Sequence, residues 1–360
     1  MQKKVVLVAR DFAGCFGLKA LKATLETLGM ECVEYLGFGK PIASPLGEIR
    51  SAVERADAVV VGRSSSAELA EPEIEALAAG MNAGIPCFMY SDAWVTLLPW
   101  FREFYERMAC LFVLHEFCAG QARWVFPEMN VVVSGNPEWE DFYPGPDYDA
   151  KRAEMREWFW EMGAPADAQM ILVPGVKTRE HNLILWSDVA EAASRLGGFC
   201  MVASMHPGDR NDPAGYRNDL AELGVPMIFL NRDSGVSTVE LVPACDWIIS
   251  SFSTLGDRAC CQGKRVIDYI SPQAHARLVF QNSLLPVEKQ VVWFPIEAGA
   301  SRLVTGGVDD LETAIAEMST PEGFAPYRQA QLRLYGEQGP APGTAAGIMA
   351  AEIMRVLSNR

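Results

Sequence analysis

Three clusters of small and polar residues, each directly after an apolar run, have the make-up of loops that hold phosphate. The most telling is Ser250 to Asp257, which follows Trp247–Ile249 and leads through Ser251, Ser253 and Thr254 into a short helical stretch. Ser253 is an N-cap candidate, because its hydroxyl can accept a first-turn amide. Bare N–H donors and the positive end of the helix dipole suit an anion at such a start. The second cluster is Pro174-Gly175-Val176-Lys177-Thr178-Arg179-Glu180, where Gly175 lets backbone approach a ligand and Lys177 can neutralise phosphate. The third is Met205-His206-Pro207-Gly208-Asp209, where His206 can bond a base, a ribose or a phosphate. The plainer readings are a capped helix, a surface turn and a satisfied loop histidine. Occurrence of all three at strand ends favours half of a nucleotide site.

The elements that must position these loops follow from the spacing of apolar residues. Strands are predicted at Val5–Ala9, Cys32–Tyr35, Ala58–Val61, Cys87–Tyr90, Leu111–Leu114 and Val131–Val133, with helical patterns between several of them, as at Leu18–Leu28 and Glu71–Ala83. The connector Gly135–Asp149 is rich in Pro, Gly and acid, and the pattern then restarts. Further strands are predicted at Met170–Val173, Phe199–Ser204, Met227–Leu230, Trp247–Ser250 and Val266–Ile270. Helices are predicted at Leu183–Leu196, Tyr216–Leu223, Val239–Val242, Glu312–Met318 and Thr344–Leu357. Alternating strands and helices mean a parallel sheet covered on both faces. The fold class is α/β: two doubly wound Rossmann-like domains, expected to face each other across a cleft at the carboxyl ends of their strands. The expected domains are 1–150, 165–335 and a C-terminal helical piece, 340–360, packing back toward the first.

Bulk composition agrees with two cored domains: 360 residues, 49% of them apolar. A net charge of −15 argues against nucleic acid as a partner. No segment reads as a signal peptide or a membrane span, and nine scattered Cys without a C-x-x-C read as reduced core thiols of a cytoplasmic protein. No metal-ligand spacing is present. Asp147-Tyr148-Asp149 reads as solvated loop.

The same loops resemble motifs of the two-domain glycosyltransferases of the GT-B type, in the neighbourhood of lipid-A-disaccharide synthase, UDP-N-acetylglucosamine 2-epimerase and the CDP-glycerol glycerophosphotransferases. Pro174 to Glu180 is similar to the Pro-Gly-Ser-Arg-x-x-Glu of the disaccharide synthases, with Lys177 for Arg. Met205-His206-Pro207 is similar to the His-Pro turn of the epimerases and glycerophosphotransferases, and Val133-Ser134-Gly135-Asn136-Pro137 to the turn that ends the first domain of the group. Ser253-Thr254 through Gly263-Lys264 resembles the donor motif, and the motifs run in the family order. Two departures stand out. The family's ribose-binding Glu falls on Arg258, with Asp257 one place early, and Arg265 replaces the usual Pro.

The resemblance implies a cytoplasmic, metal-independent transferase, working at the inner face of the membrane in surface polysaccharide biosynthesis. It would need no cofactor beyond a nucleotide-sugar co-substrate and would act on a glycan or lipid-linked acceptor. Gly175, Lys177, His206, Pro207, Ser251, Ser253, Thr254 and Asp257 would bind the donor. UDP-sugar 2-epimerisation and a non-catalytic binding role are the alternatives; absence of the epimerases' paired Glu at 257–258 counts against the first. A transfer needs a general base, which in this group comes from the first domain. Asp11, Asp92 and Glu116, with His115 beside it, end strands there, and Asp92 and Asp11 rank first. Asp92 lies in Ser91-Asp92-Ala93-Trp94, beside an aromatic able to stack on a sugar; helix capping is the equal alternative for either acid. In Asp11-Phe12-Ala13-Gly14-Cys15-Phe16-Gly17 the glycines allow a tight turn, but Asp11 would repel a pyrophosphate. Trp94, Leu97, Leu98, Phe101, Phe104, Tyr105 and Met108 put several apolar groups on one helical face. They form either a core helix or a weak peripheral membrane contact for a lipid-linked acceptor.

Overall fold

The structure is a computed structural model that describes every residue except Met1, 95–96, 207, 232, 252, 273–283, 285–293 and 342. It divides into two units, the first built from Met1–Glu140 with Pro340–Arg360, the second from Asp141–Val279 with Val291–Gly339.

The first unit carries β1 (Lys4–Ala9), β2 (Glu31–Leu36), β3 (Ala58–Val61), β4 (Cys87–Tyr90), β5 (Cys110–Val113) and β6 (Val131–Val133). They form one sheet in the order β2-β1-β3-β4-β5-β6, and every described pairing is parallel. Between them run α1 (Phe12–Thr27), α2 (Leu46–Val53), α3 (Glu71–Asn82), α4 (Arg102–Tyr105) and α5 (Glu116–Val125). Helices on both faces explain why the central strands are unbroken apolar runs: Val5, Val6, Leu7 and Val8 are all fully buried.

The second unit opens with α6 (Tyr148–Glu161) and carries β7 (Gln169–Pro174), β8 (Phe199–Ser204), β9 (Met227–Leu230), β10 (Trp247–Ser250), β11 (Arg265–Tyr269) and β12 (Arg302–Val304). Their order is β12-β11-β10-β7-β8-β9, again parallel. The helices are α7 (Arg179–Leu196), α8 (Pro213–Leu220), α9 (Thr238–Leu241), α10 (Thr254–Cys261), α11 (Phe294–Glu297), α12 (Val308–Ser319) and α13 (Pro321–Tyr335). Each unit has its own core, around Trp186, Trp247 and Met318 in the second and around Leu7, Leu21 and Phe88 in the first. The last helix, α14 (Thr344–Ser358), belongs to the first unit and adds Met349, Ala350, Ile353 and Leu357 to that core.

The strand orders locate the chemistry. Chain direction across the sheet reverses between β1 and β3 in the first unit and between β7 and β10 in the second. Connections leave such a pair on opposite faces, so a crevice opens beyond its carboxyl ends.

Several expectations change. The glycines at 14 and 17 do not form a turn; they lie inside α1, which starts at Phe12. A Cβ on Gly17 would stand 2.1 Å from Tyr90 Cε1, so the glycine lets α1 lie against the end of β4. The described residues of 94–108 form no continuous amphipathic helix but a 3₁₀ turn, Pro99–Phe101, followed by the one-turn α4. Trp94, Leu97, Leu98, Phe101, Phe104, Tyr105 and Met108 are all buried, which removes them as a membrane face. The connector holds a 3₁₀ helix at Pro137–Asp141, and Tyr148 and Asp149 already belong to α6. That helix buries only Phe159, so its apolar period is too weak to read. No helix of the described residues is long and apolar enough to cross a membrane.

Candidate functional site

In the first unit, Asp11, Arg63 and Asp92 follow β1, β3 and β4, beside the reversal point. The loop after β3 ties them together. The Ser65 N–H donates to Asp11 Oδ2 at 2.7 Å, and Arg63 Nη1 lies 3.6 Å from Asp92 Oδ1. Burial pushes the Asp92 carboxyl above its ordinary value, and the Arg63 guanidinium holds part of that rise down. Asp11 stands at the N-cap position of α1, yet its side chain makes no cap bond to that helix. Five buried side-chain atoms here lack a hydrogen-bond partner among the described residues: Arg10 Nε, Arg63 Nε, Glu73 Oε2, Ser91 Oγ and Asp92 Oδ1. Buried polar groups are otherwise nearly always paired, so such a concentration makes these strand ends the candidate site of the first unit.

Burial overturns one further first-unit expectation. Trp94 is 1% exposed and packs on His115 and Trp139, so it offers no ring to a sugar. His115 caps α5 by accepting from the Phe117 N–H at 3.2 Å, and Glu116 is an exposed side chain 3.5 Å from Arg123.

In the second unit, the loops after β7, β8 and β10 stand side by side. Ser253 is the N-cap of α10, with its Oγ accepting from the Leu255 N–H at 3.2 Å. Thr254 is exposed at the first position of that helix. Ser251 donates to the Tyr269 carbonyl at 2.8 Å, joining the ends of β10 and β11, while the fully buried Ser250 Oγ has no partner among the described residues. His206 Nδ1 accepts from the Gly208 N–H at 2.8 Å. A backbone N–H can only donate, so the neutral ring carries its proton on Nε2 and presents a donor there. Burial, and then the nearby Lys177 charge, push the His206 pKa down, which keeps that neutral form at neutral pH. Lys177 is exposed. Pro207 lies outside the described residues.

Two predicted donor residues serve the structure instead. A Cβ on Gly175 would stand 2.8 Å from Asn182 Oδ1 and Trp186 Cζ2 and 2.9 Å from the Ser204 carbonyl. Its lack of a side chain therefore admits α7 and β8. Asp257 is buried within α10, where its Oδ1 accepts from the Tyr335 hydroxyl. The neighbouring Arg258 guanidinium stacks on Phe142, 4.6 Å from the ring centre. The one-residue displacement seen in the sequence thus turns the carboxylate into the interior.

Sequence reasoning missed Arg63, Glu73 and Asn182. Asn182 is fully buried on α7. Its Oδ1 accepts from the Val176 N–H at 2.6 Å, and its Nδ2 donates to the Val176 carbonyl, Asp209 and Tyr216 at 2.9, 3.0 and 3.1 Å. One side chain thus fastens the Lys177 loop to the His206 loop. The available signal was a polar residue on the same helical face as Leu185, Trp186 and Val189. None of the nine cysteines is in a disulfide, and no group of three or more His, Cys, Asp or Glu among the described residues could hold a metal.

No protein-family model matches this sequence, and no curated protein matches it. Solved structures do. A UDP-GlcNAc 2-epimerase from Neisseria meningitidis bound to UDP-GlcNAc superposes with a TM-score of 0.63 at 14% identity, covering 99% of this chain and 100% of that one. A putative UDP-N-acetylglucosamine 2-epimerase from Listeria monocytogenes gives 0.63 at 15% identity, covering 100% and 98%. A glycosyltransferase from Rickettsia africae gives 0.60 at 12% identity, covering 99% and 98%. At such identities the likeness is one of fold: this chain has the two-unit α/β fold that is shared by UDP-N-acetylglucosamine 2-epimerases and glycosyltransferases of the GT-B type.

Proposed function

We propose that this chain acts on a nucleotide-linked sugar as a UDP-sugar 2-epimerase: the C1–O bond to the nucleoside diphosphate breaks as the C2 proton is removed, and the diphosphate adds back at C1 as a proton returns to the opposite face of C2. The observation that carries the reading is the pair Asp11 and Asp92, held by one loop, with Asp92 enclosed and its carboxyl raised. Removing a proton from a sugar carbon and returning it needs an acid and a base at one place, and two carboxylates in unlike surroundings suit those roles. The second unit would hold the diphosphate, with Lys177 as the charge, the His206 Nε2–H as a donor and the N-terminus of α10 at Ser253 and Thr254 as the dipole. Two of the solved neighbours named above are called epimerases, one of them bound to UDP-GlcNAc, which supports a uridine nucleotide.

Glycosyl transfer to a glycan or lipid-linked acceptor is the second reading. Asp257 favours it: with that carboxylate buried against Tyr335 and Arg258 on Phe142, this helix lacks the acidic pair of the epimerases. Incubation with UDP-N-acetylglucosamine in D2O separates the two. The epimerase reading expects the manno isomer with deuterium at C2. Absence of both, with turnover only on adding an acceptor, would replace it by transfer. A protein that binds no UDP at all would end both readings.

A further inference from the structure

A third carboxylate lies behind Asp11 and Asp92. Glu73 stands in the first turn of α3, fully buried. Its Oε1 accepts from the Arg10 N–H at 2.9 Å and from the Ser64 hydroxyl. Its Oε2 is enclosed, with no hydrogen-bond partner among the described residues. The Ser64 Oγ also accepts from the Asp11 N–H at 3.3 Å, and the Ser64 carbonyl accepts from Trp100 Nε1 at 3.2 Å. Ser64 therefore sits at a crossing: Glu73 below it, the end of β1 beside it, and Arg63 and Ser65 on either side in the chain, one reaching Asp92 and the other Asp11.

A carboxylate in this place is costly. Burial lifts its carboxyl to about 7, and an apolar side chain of similar volume would fill an interior helix position without that cost. What this side chain supplies and an apolar one cannot is an oxygen that takes two hydrogen bonds, one from each neighbouring strand end. A Leu could pack there but could not join the strand-end loops.

We propose that Glu73 is a positioning residue, which through Ser64 fixes the loop of residues 62–66 and with it the aim of Asp11 and of Arg63, the counter-ion of Asp92. The catalytic consequence rests on the reading of Asp11 and Asp92 as the acid–base pair; the positional one does not. Loss of aim by an ångström or less acts on the chemical step and not on nucleotide binding, whose residues lie in the other unit.

The test compares Glu73→Leu, which keeps volume and loses the oxygen, with Glu73→Gln, which keeps it. On UDP-N-acetylglucosamine, Glu73→Leu should lower kcat about 10- to 100-fold with KM within about twofold, and Glu73→Gln should recover to within about threefold of wild type. Undiminished kcat in a folded Glu73→Leu overturns the proposal, and so does an equal loss in both variants. Should Glu73→Leu not fold, Ser64→Ala cuts the same link with Glu73 in place, and undiminished kcat there overturns it. Amide hydrogen exchange reads the geometry without substrate. The Arg10, Asp11 and Ser65 amides should exchange about tenfold faster in Glu73→Leu, or the Asp11 and Ser65 amides in Ser64→Ala in its stead, and at near wild-type rates in Glu73→Gln. Unchanged exchange in the Leu or Ala variant overturns the proposal. If the wild type does not turn over UDP-N-acetylglucosamine, the functional reading fails and the exchange measurement still decides this one.

Discussion

Glu73 should make the protein progressively less stable as the pH rises, and Glu73→Gln should abolish that trend. Burial raises this carboxyl from 4.5 to about 7. Between those values the folded protein holds a proton that the unfolded chain has released, so stability falls with pH across that window and levels off above it. A difference of about 2.5 pH units, at about 1.4 kcal/mol each, amounts to about 3 kcal/mol. Glutamine cannot ionise. Its buried amide, placed where Oε2 has no partner, costs about 1–3 kcal/mol at every pH, which moves the whole curve without changing its slope. The assay is urea unfolding of both proteins from about pH 5 to about pH 8, taking the difference between them so that every other titrating group cancels. That difference should move in favour of Glu73→Gln by about 2–3 kcal/mol across the range, with equal m-values. A difference independent of pH, or one that moves toward the wild type as the pH rises, refutes the burial argument.

Gly17→Ala should lower stability by about 1–3 kcal/mol, because the new methyl meets the buried Tyr90 ring, whose hydroxyl donates to Asn136 at 2.9 Å. Gly47→Ala, in α2 with nothing within 4 Å of its Cβ, should stabilise by about 0.5–1 kcal/mol; thermal unfolding measures both. Asn182→Ala should cost about 2–3 kcal/mol and also weaken UDP binding, since it releases the Lys177 and His206 loops together; unaltered UDP affinity by calorimetry would separate these loops from the nucleotide site. Lys177→Ala and His206→Ala should each weaken UDP binding about tenfold, with the double variant falling short of the product because the two side chains act on one ligand group.

Much of the scaffold was legible along the chain. Apolar runs at β1, β7 and β8 are unbroken because both faces of a parallel sheet are covered, and that composition needs no long-range information to read. The cap at Ser253 is likewise local, a hydroxyl meeting an amide two residues on. So was the position of His206 after β8. What escaped were short or weakly periodic elements, such as α6 with one buried residue and β12 with three residues in all.

The sequence by itself determined where most strands end, since that depends on neighbouring residues; helix starts it placed late, at Leu18 where α1 begins at Phe12 and at Leu183 where α7 begins at Arg179. It could not determine which side chains face inward, because that depends on strand order. Glu73 reads as one of two acids in a first turn, fit for solvent and the helix dipole; it is buried because β1 pairs with β3 and brings Arg10 over it. Asp257 reads as a displaced ribose ligand, and α13, arriving from some 78 residues away, claims it through Tyr335. Trp94 reads as a sugar platform, and the contacts with His115 and Trp139 close it off. Local chemistry nominated the carboxylates; the packing of distant elements brought Asp11 and Asp92 to one loop, through the Ser65 N–H and the Arg63 guanidinium.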